Sequence, residues 1–147
     1  MQKFDDEKGK RRLINLSNMK EEDAEKYFVQ CRGLPEELQK QCTEELRGQI
    51  KKIDEGDVLG WILAINSKSG KLIGKMEITS IDGVEASLRI QIPNENWILK
   101  YGLEAVDQFV KICKENHYFE KIELVSCAIT EKYRKDRNIS SKVIEVA

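Results

Sequence analysis

A chain of 147 residues with 40 % hydrophobic and 35 % charged side chains has the length and composition of one domain with a sizeable core. Its net charge of −1 removes any global electrostatic case for a nucleic-acid or anionic-membrane partner, and no apolar run approaches a membrane span. The opening MQKFDDEKGKRR is charged throughout and lacks the apolar stretch of a secretion signal, so a cytoplasmic protein is expected.

Residues 1–11 read as a flexible leader to a single domain within 1–147. Arg12–Ser17 alternates as a short first strand, and Asn18 with Glu21 has the spacing of a capping box. Ala24, Tyr27, Phe28 and Cys31 then form a helical stripe that Gly33 ends. Pro35 suits the first turn of a second helix, which packs through Leu38, Cys42, Leu46, Ile50 and Ile53. Val58–Ile65, Lys71–Ile81 and Val84–Ile92 read as three antiparallel strands, the last two joined by Asp82-Gly83 as a two-residue turn. Trp61 falls in the first of them as a core residue.

A third helix begins near Tyr101 and carries Leu103, Val106, Val110 and Cys113 on one side, with Asp107 and Lys111 as an i,i+4 pair on the other. Ile122–Ile129 reads as a further strand, parallel to Val84–Ile92 through a right-handed crossover. Glu131–Arg137 then reads as a charged connector and Asn138–Val146 as a last helix. The order β-α-α-β-β-β-α-β-α specifies an α/β fold with a mixed central sheet.

The cysteines at 31, 42, 113 and 127 have no C-x-x-C spacing and sit among apolar neighbours, which makes them reduced, small hydrophobic residues. His117 is the one histidine, so neither a metal site nor a His-dependent nucleophile is expected. Lys8–Arg12 and Lys132–Arg137 are interspersed with acids and read as solvated surface.

The most informative stretch is Ala86–Ala105, where a strand ends at Pro93 and a helix starts after a short loop. Free N–H groups at such a helix start can hold a phosphate. Pro93, Trp97, Tyr101, Gly102, Glu104 and Ala105 resemble the cofactor loop of the GNAT acyl-CoA N-acyltransferases, and Asn138-Ile-Ser-Ser141 is similar to the opening of that family's fourth helix. Within the family, the pattern is most similar to the branch holding ribosomal-protein N-terminal acetyltransferases. The resemblance implies the GNAT fold and transfer of an acetyl group from acetyl-CoA to a primary amine, on a small molecule or a protein N-terminus.

It further implies that the backbone of Gln91 and Ile92 pairs with the pantetheine arm, and that Leu99, Lys100, Tyr101, Gly102 and Leu103 lie under the pyrophosphate. Asn138 would align the thioester, with Ser141 beside it, and Glu85 would act as base, Glu77 being the other carboxylate on the central strands. For Glu85 and Glu77 a solvated strand position is the plainer reading, as helix capping is for Asn138 and packing is for Trp97. Tyr133 reads as a surface residue of the connector, with a leaving-thiolate acid as its functional alternative.

Two departures from the family pattern stand out. Lys100 occupies a position where the loop usually has glycine, and Ala147 falls before the family's C-terminal hairpin, which this chain is expected to lack. An uncovered sheet flank there implies a homodimer. The departures also leave a second class of function open: a non-catalytic interaction module with a degenerate cofactor loop.

Overall fold

β1 (Ile14–Asn18), α1 (Glu21–Lys26), a π-helical turn (Tyr27–Cys31), α2 (Glu36–Asp54), β2 (Leu59–Ser67), β3 (Leu72–Ser80), β4 (Glu85–Gln91), α3 (Ile98–Asn116), β5 (Lys121–Leu124), α4 (Ala128–Asp136) and β6 (Val143–Glu145) follow one another in the computed structural model, which describes residues 3–5 and 13–146. The strands form one six-stranded sheet in the order β1 to β6. Every neighbouring pair is antiparallel except β4 and β5, which run parallel on either side of α3. The fold is the expected α/β arrangement with a mixed sheet, extended by β6.

Alternation of side chains divides the sheet between two apolar layers. Met76, Ile78, Ala86, Leu88 and Ile90 face α3, which returns Ala105, Val106, Phe109 and Cys113 to the same core. Ile62 and Ala64 point the other way, toward Ala24, Tyr27, Phe28, Leu46 and Ile50. The helical stripes therefore fall where their spacing places them, with one exception: Leu38 is 45 % exposed, because α2 has not yet reached the sheet in its first turn. Trp61 is core, at 2 % exposure. All four cysteines are free thiols.

Local chemistry moves several expected boundaries. Asn18 ends β1 and donates to the Phe4 carbonyl instead of capping α1, while the Lys20 N–H is taken by the Asp23 carboxylate at 2.9 Å. The turn after β3 spans Ile81–Val84, since the Asp82 carboxylate accepts the N–H groups of Val84 and Glu85 at 2.9 and 3.0 Å and holds them out of the ladder.

The largest change lies near the C-terminus. Ile122–Ile129 is not one strand: β5 stops at Leu124 and a helix starts at Ala128. Thr130 Oγ1 accepts the Cys127 N–H at 3.0 Å and donates to the Val125 carbonyl at 2.8 Å, which turns the chain there. The expected connector Glu131–Arg137 is therefore mostly helix, and the expected helix Asn138–Val146 is a turn followed by β6. Since β6 covers the flank of β5, the argument for a second chain covering it loses its premise.

The expected leader is also docked in part. Phe4 is 4 % exposed and its ring meets Trp61 at 5.4 Å and Phe109 at 5.7 Å, centroid to centroid. The remaining leader positions, and Lys8–Arg12, lie outside the described residues. Among the described residues, no helix is long and apolar enough to cross a membrane.

Candidate functional site

The parallel ladder between β4 and β5 runs from Glu85–Lys121 to Leu88–Leu124 and ends with the Val125 N–H on the Leu88 carbonyl, at 3.0 Å. Past that point β4 continues for three residues while β5 has already turned away toward α4. No further backbone bond joins the two among the described residues. The strands thus part and leave a cleft of about 300 Å³.

One wall of the cleft is β4 and its exit, Ile90 through Pro93; the other is the start of α4, Cys127 through Ile129. Ile98 closes it from the α3 side, and Tyr27 and Arg32 from the π-helical turn. Strand geometry decides which backbone groups face the gap. Leu88 aims its carbonyl at β5, so Ile90, two residues on, presents its N–H and carbonyl on the same edge. Gln91 does the opposite: its carbonyl lies against Gly74 of β3, 2.3 Å from where a side chain on that glycine would begin. The free backbone edge expected at Gln91 is therefore at Ile90. Gln91 contributes its side chain to the cleft instead, and Ile92, one residue beyond the strand, a buried apolar one.

The helix at the mouth starts earlier than expected. A 3₁₀ turn over Glu95–Trp97 leads directly into α3 at Ile98, so Leu99 and Lys100 lie in its first turn, where N–H groups lack helical acceptors. Gly102 and Leu103 are deeper, their N–H groups spent within the helix, and Tyr101 is half-buried against the core. Lys100 has a right-handed helical backbone, so a lysine there meets no conformational penalty.

Three cations gather around this mouth. Lys100 is exposed in the first turn of α3, Arg32 lines the cleft, and Lys71 places its ammonium 4.6 Å over the Trp97 ring. Lys71 is close enough to Cys31 to favour its thiolate, although burial dominates and pushes that thiol up to about 11. Neither Arg32 nor Lys71 was singled out from sequence. They reach the site from a helix exit and a strand turn far from the loop motif.

Packing alone accounts for a glycine at position 102. A Cβ at that position would stand 2.8 Å from Ile129 Cδ1 and 2.9 Å from both of its Cγ atoms, so α3 and α4 meet there with no room for a methyl group. Gly102→Ala is expected to destabilise the protein by about 1–3 kcal/mol, as overpacking does. Adding Ile129→Ala should make the pair markedly less costly than the sum of the two single changes in urea denaturation. Strict additivity would show that the contact yields.

Other expected residues fall elsewhere. Glu85 stands at the far end of β4, three residues and about 10 Å before the split. It borders a separate cavity with Asp82, Lys121 and Glu123. Asn138 follows the end of α4 in a left-handed conformation, φ 54°, a helix length of about 13 Å from the α4 start that lines the cleft. The exposed Ser141 accepts the Val143 N–H on the way into β6. Neither residue caps a helix opening, and neither lines the cleft. Tyr133 is core, at 3 % exposure, with the Arg137 guanidinium 4.0 Å from its ring centre.

Glu77 lies on the face of β3 opposite α3, in contact with the buried Lys75 ammonium. Glu123, missed in the sequence, occupies the last register pair but one before the split, opposite Ser87, whose hydroxyl is 3.5 Å from its carboxylate. The signal for Glu123 was weak. Its strand carries a single glutamate, as expected of any solvated strand face, and the place of the split is not written in β5 itself. Among the described residues, no group of three or more His, Cys, Asp and Glu side chains is placed to hold a metal ion.

No protein-family model matches the sequence, and no curated protein sequence does. Solved structures do match the fold. A Vibrio cholerae protein provisionally described as a ribosomal-protein-serine acetyltransferase superposes with a TM-score of 0.64 at 16 % identity, covering 88 % of this chain and 79 % of its own. The spermidine N-acetyltransferase of Vibrio cholerae, solved with CoA and spermine, gives 0.60 at 13 % identity over 87 % and 80 %. Glucosamine-6-phosphate N-acetyltransferase from Arabidopsis thaliana gives 0.59 at 15 % over 92 % and 97 %. A sheet whose one parallel pair parts over a cleft, with a helix starting at its mouth, is thus the GNAT acetyltransferase fold.

Proposed function

We propose that this chain is an acetyl-CoA-dependent N-acetyltransferase that acts on a primary amine. The observation that carries this reading is the cleft of about 300 Å³ between β4 and β5, with the first turn of α3 at its mouth. The Ile90 N–H and carbonyl offer a strand edge to the amides of a pantetheine arm. The first turn of α3, with Lys100, Lys71 and Arg32, offers N–H groups and positive charge to the phosphates.

The amine attacks the thioester carbonyl, forming the C–N bond and expelling the CoA thiolate. Its proton leaves through water, since among the described residues no carboxylate lines the cleft itself. Of the two glutamates on the neighbouring cavity, Glu123 stands closer to the split than Glu85, one register pair away. The acceptor is read as a small amine or a protein N-terminus, by analogy with the spermidine, glucosamine-phosphate and ribosomal-protein acetyltransferases that share the fold.

A second reading, a binding module without chemistry, draws on Gly102: its packing against Ile129 explains the glycine with no cofactor. Isothermal titration with acetyl-CoA separates the two. Micromolar binding, about −8 kcal/mol, is expected. Absence of heat together with an unchanged melting temperature would leave the binding module.

A further inference from the structure

The π-helical turn sets one wall of the cleft with a single buried residue. Its wide ring, closed by the Arg32 N–H on the Tyr27 carbonyl at 2.7 Å, is a rare backbone form, frequent at functional sites. Tyr27 is 1 % exposed, yet it borders the cleft and its hydroxyl donates to Gln91 Oε1 at 3.2 Å. The Lys75 ammonium lies 5.4 Å from the Tyr27 ring centre and holds that ring from the sheet side.

A primary amide has one acceptor oxygen and one NH₂. The buried Tyr27 hydroxyl has no other acceptor among the described residues, so its hydrogen holds the Gln91 amide with the oxygen turned toward it. Its Nε2 has no partner in the protein among the described residues, and the side chain is exposed on the cleft. A free donor is therefore aimed into the gap, next to the strand edge of Ile90.

We infer that Gln91 donates its side-chain amide to a carbonyl of the pantetheine arm, and that Tyr27 is the positioning residue which sets the amide's orientation. This rests on the acetyl-CoA reading. The pair gives the cleft a sensor for the amide-bearing arm that is separate from the cations at its mouth. Burial keeps the phenol protonated, so the donor to Gln91 persists through the physiological pH range.

Isothermal titration of the full chain with CoA and with adenosine 3′,5′-bisphosphate, which lacks pantetheine, tests the inference. Tyr27→Phe keeps the buried ring, and Gln91→Ala changes an exposed side chain, so both variants should fold with unchanged melting temperatures. Each is expected to raise the Kd for CoA about fivefold and to leave the Kd for the bisphosphate unchanged. The double variant should lose no more than Gln91→Ala alone.

Unchanged CoA affinity in Tyr27→Phe, equal losses for both ligands, or additive losses in the double variant would overturn the pairing while leaving the acetyl-CoA reading intact. A wild-type protein that binds neither ligand would overturn both.

Discussion

Glu77→Ala is expected to lower the unfolding free energy by about 3 kcal/mol, because it strands a buried charge. Lys75 is 6 % exposed, and its ammonium is paired with the Glu77 carboxylate. Without that carboxylate the ammonium keeps only the Tyr27 ring, a weaker partner. Adding Lys75→Met removes the stranded charge and should restore stability to within about 1 kcal/mol, since well-packed apolar groups often replace a buried ion pair without loss. Urea denaturation of the two single variants and the double variant decides the matter. If the double is as unstable as Glu77→Ala, charge burial is not the cause. The pair also argues against Glu77 as a catalytic base, because its carboxylate is held by Lys75.

Lys100→Glu should weaken acetyl-CoA binding about 30-fold. Exchanging a cation for an anion near a phosphate alters two charge interactions of about 1 kcal/mol each at water-like screening. Together these amount to about 2 kcal/mol, which converts to that factor. Lys100→Gly should also weaken binding, since the backbone there is helical and gains nothing from glycine. Tighter binding in Lys100→Gly would instead show that the lysine side chain obstructs the site. Raising the salt concentration should narrow the gap between wild type and Lys100→Glu if the effect is electrostatic.

Much of the frame was legible because it follows from period. The stripe Val106, Val110, Cys113 and the alternation Ala86, Leu88, Ile90 each have one solution that buries them. The pair Asp107–Lys111 forms at 2.9 Å as its spacing requires, and Arg137 joins it at 3.0 Å from just past the end of α4, which the spacing does not reveal.

The stretch from Ile122 onward was misread for a physical reason. Ile122, Leu124, Cys127 and Ile129 are apolar in a run of eight residues, and periodicity alone cannot separate a long buried strand from a short strand entering a helix. The Thr130 hydroxyl resolves it, through contacts on Cys127 and Val125 that leave no imprint on hydropathy. Phe4 was unreadable for a related reason: one aromatic within a charged segment carries no period, and only the ring pocket of Trp61 and Phe109 makes it core.

At the site, the residues of the loop were visible but not their directions. Gln91 and Ile92 were expected to offer free backbone groups by resemblance, whereas the free edge of β4 is at Ile90, because the β3 pairing uses the Gln91 carbonyl. Arg32, Lys71 and Tyr27 join the cleft only when the π-helical turn and the β2–β3 connection are brought to the end of β4.

The sequence by itself determined the element types from β1 to α3, the mixed α/β sheet with one parallel pair, and the loop that leads into α3, since each is a matter of local period and chain connection. The tertiary structure alone decided where β4 and β5 part, which backbone groups face the gap, and which distant cations surround it. Those depend on which strand lies on either side of β4, and no property of a single segment encodes its neighbours.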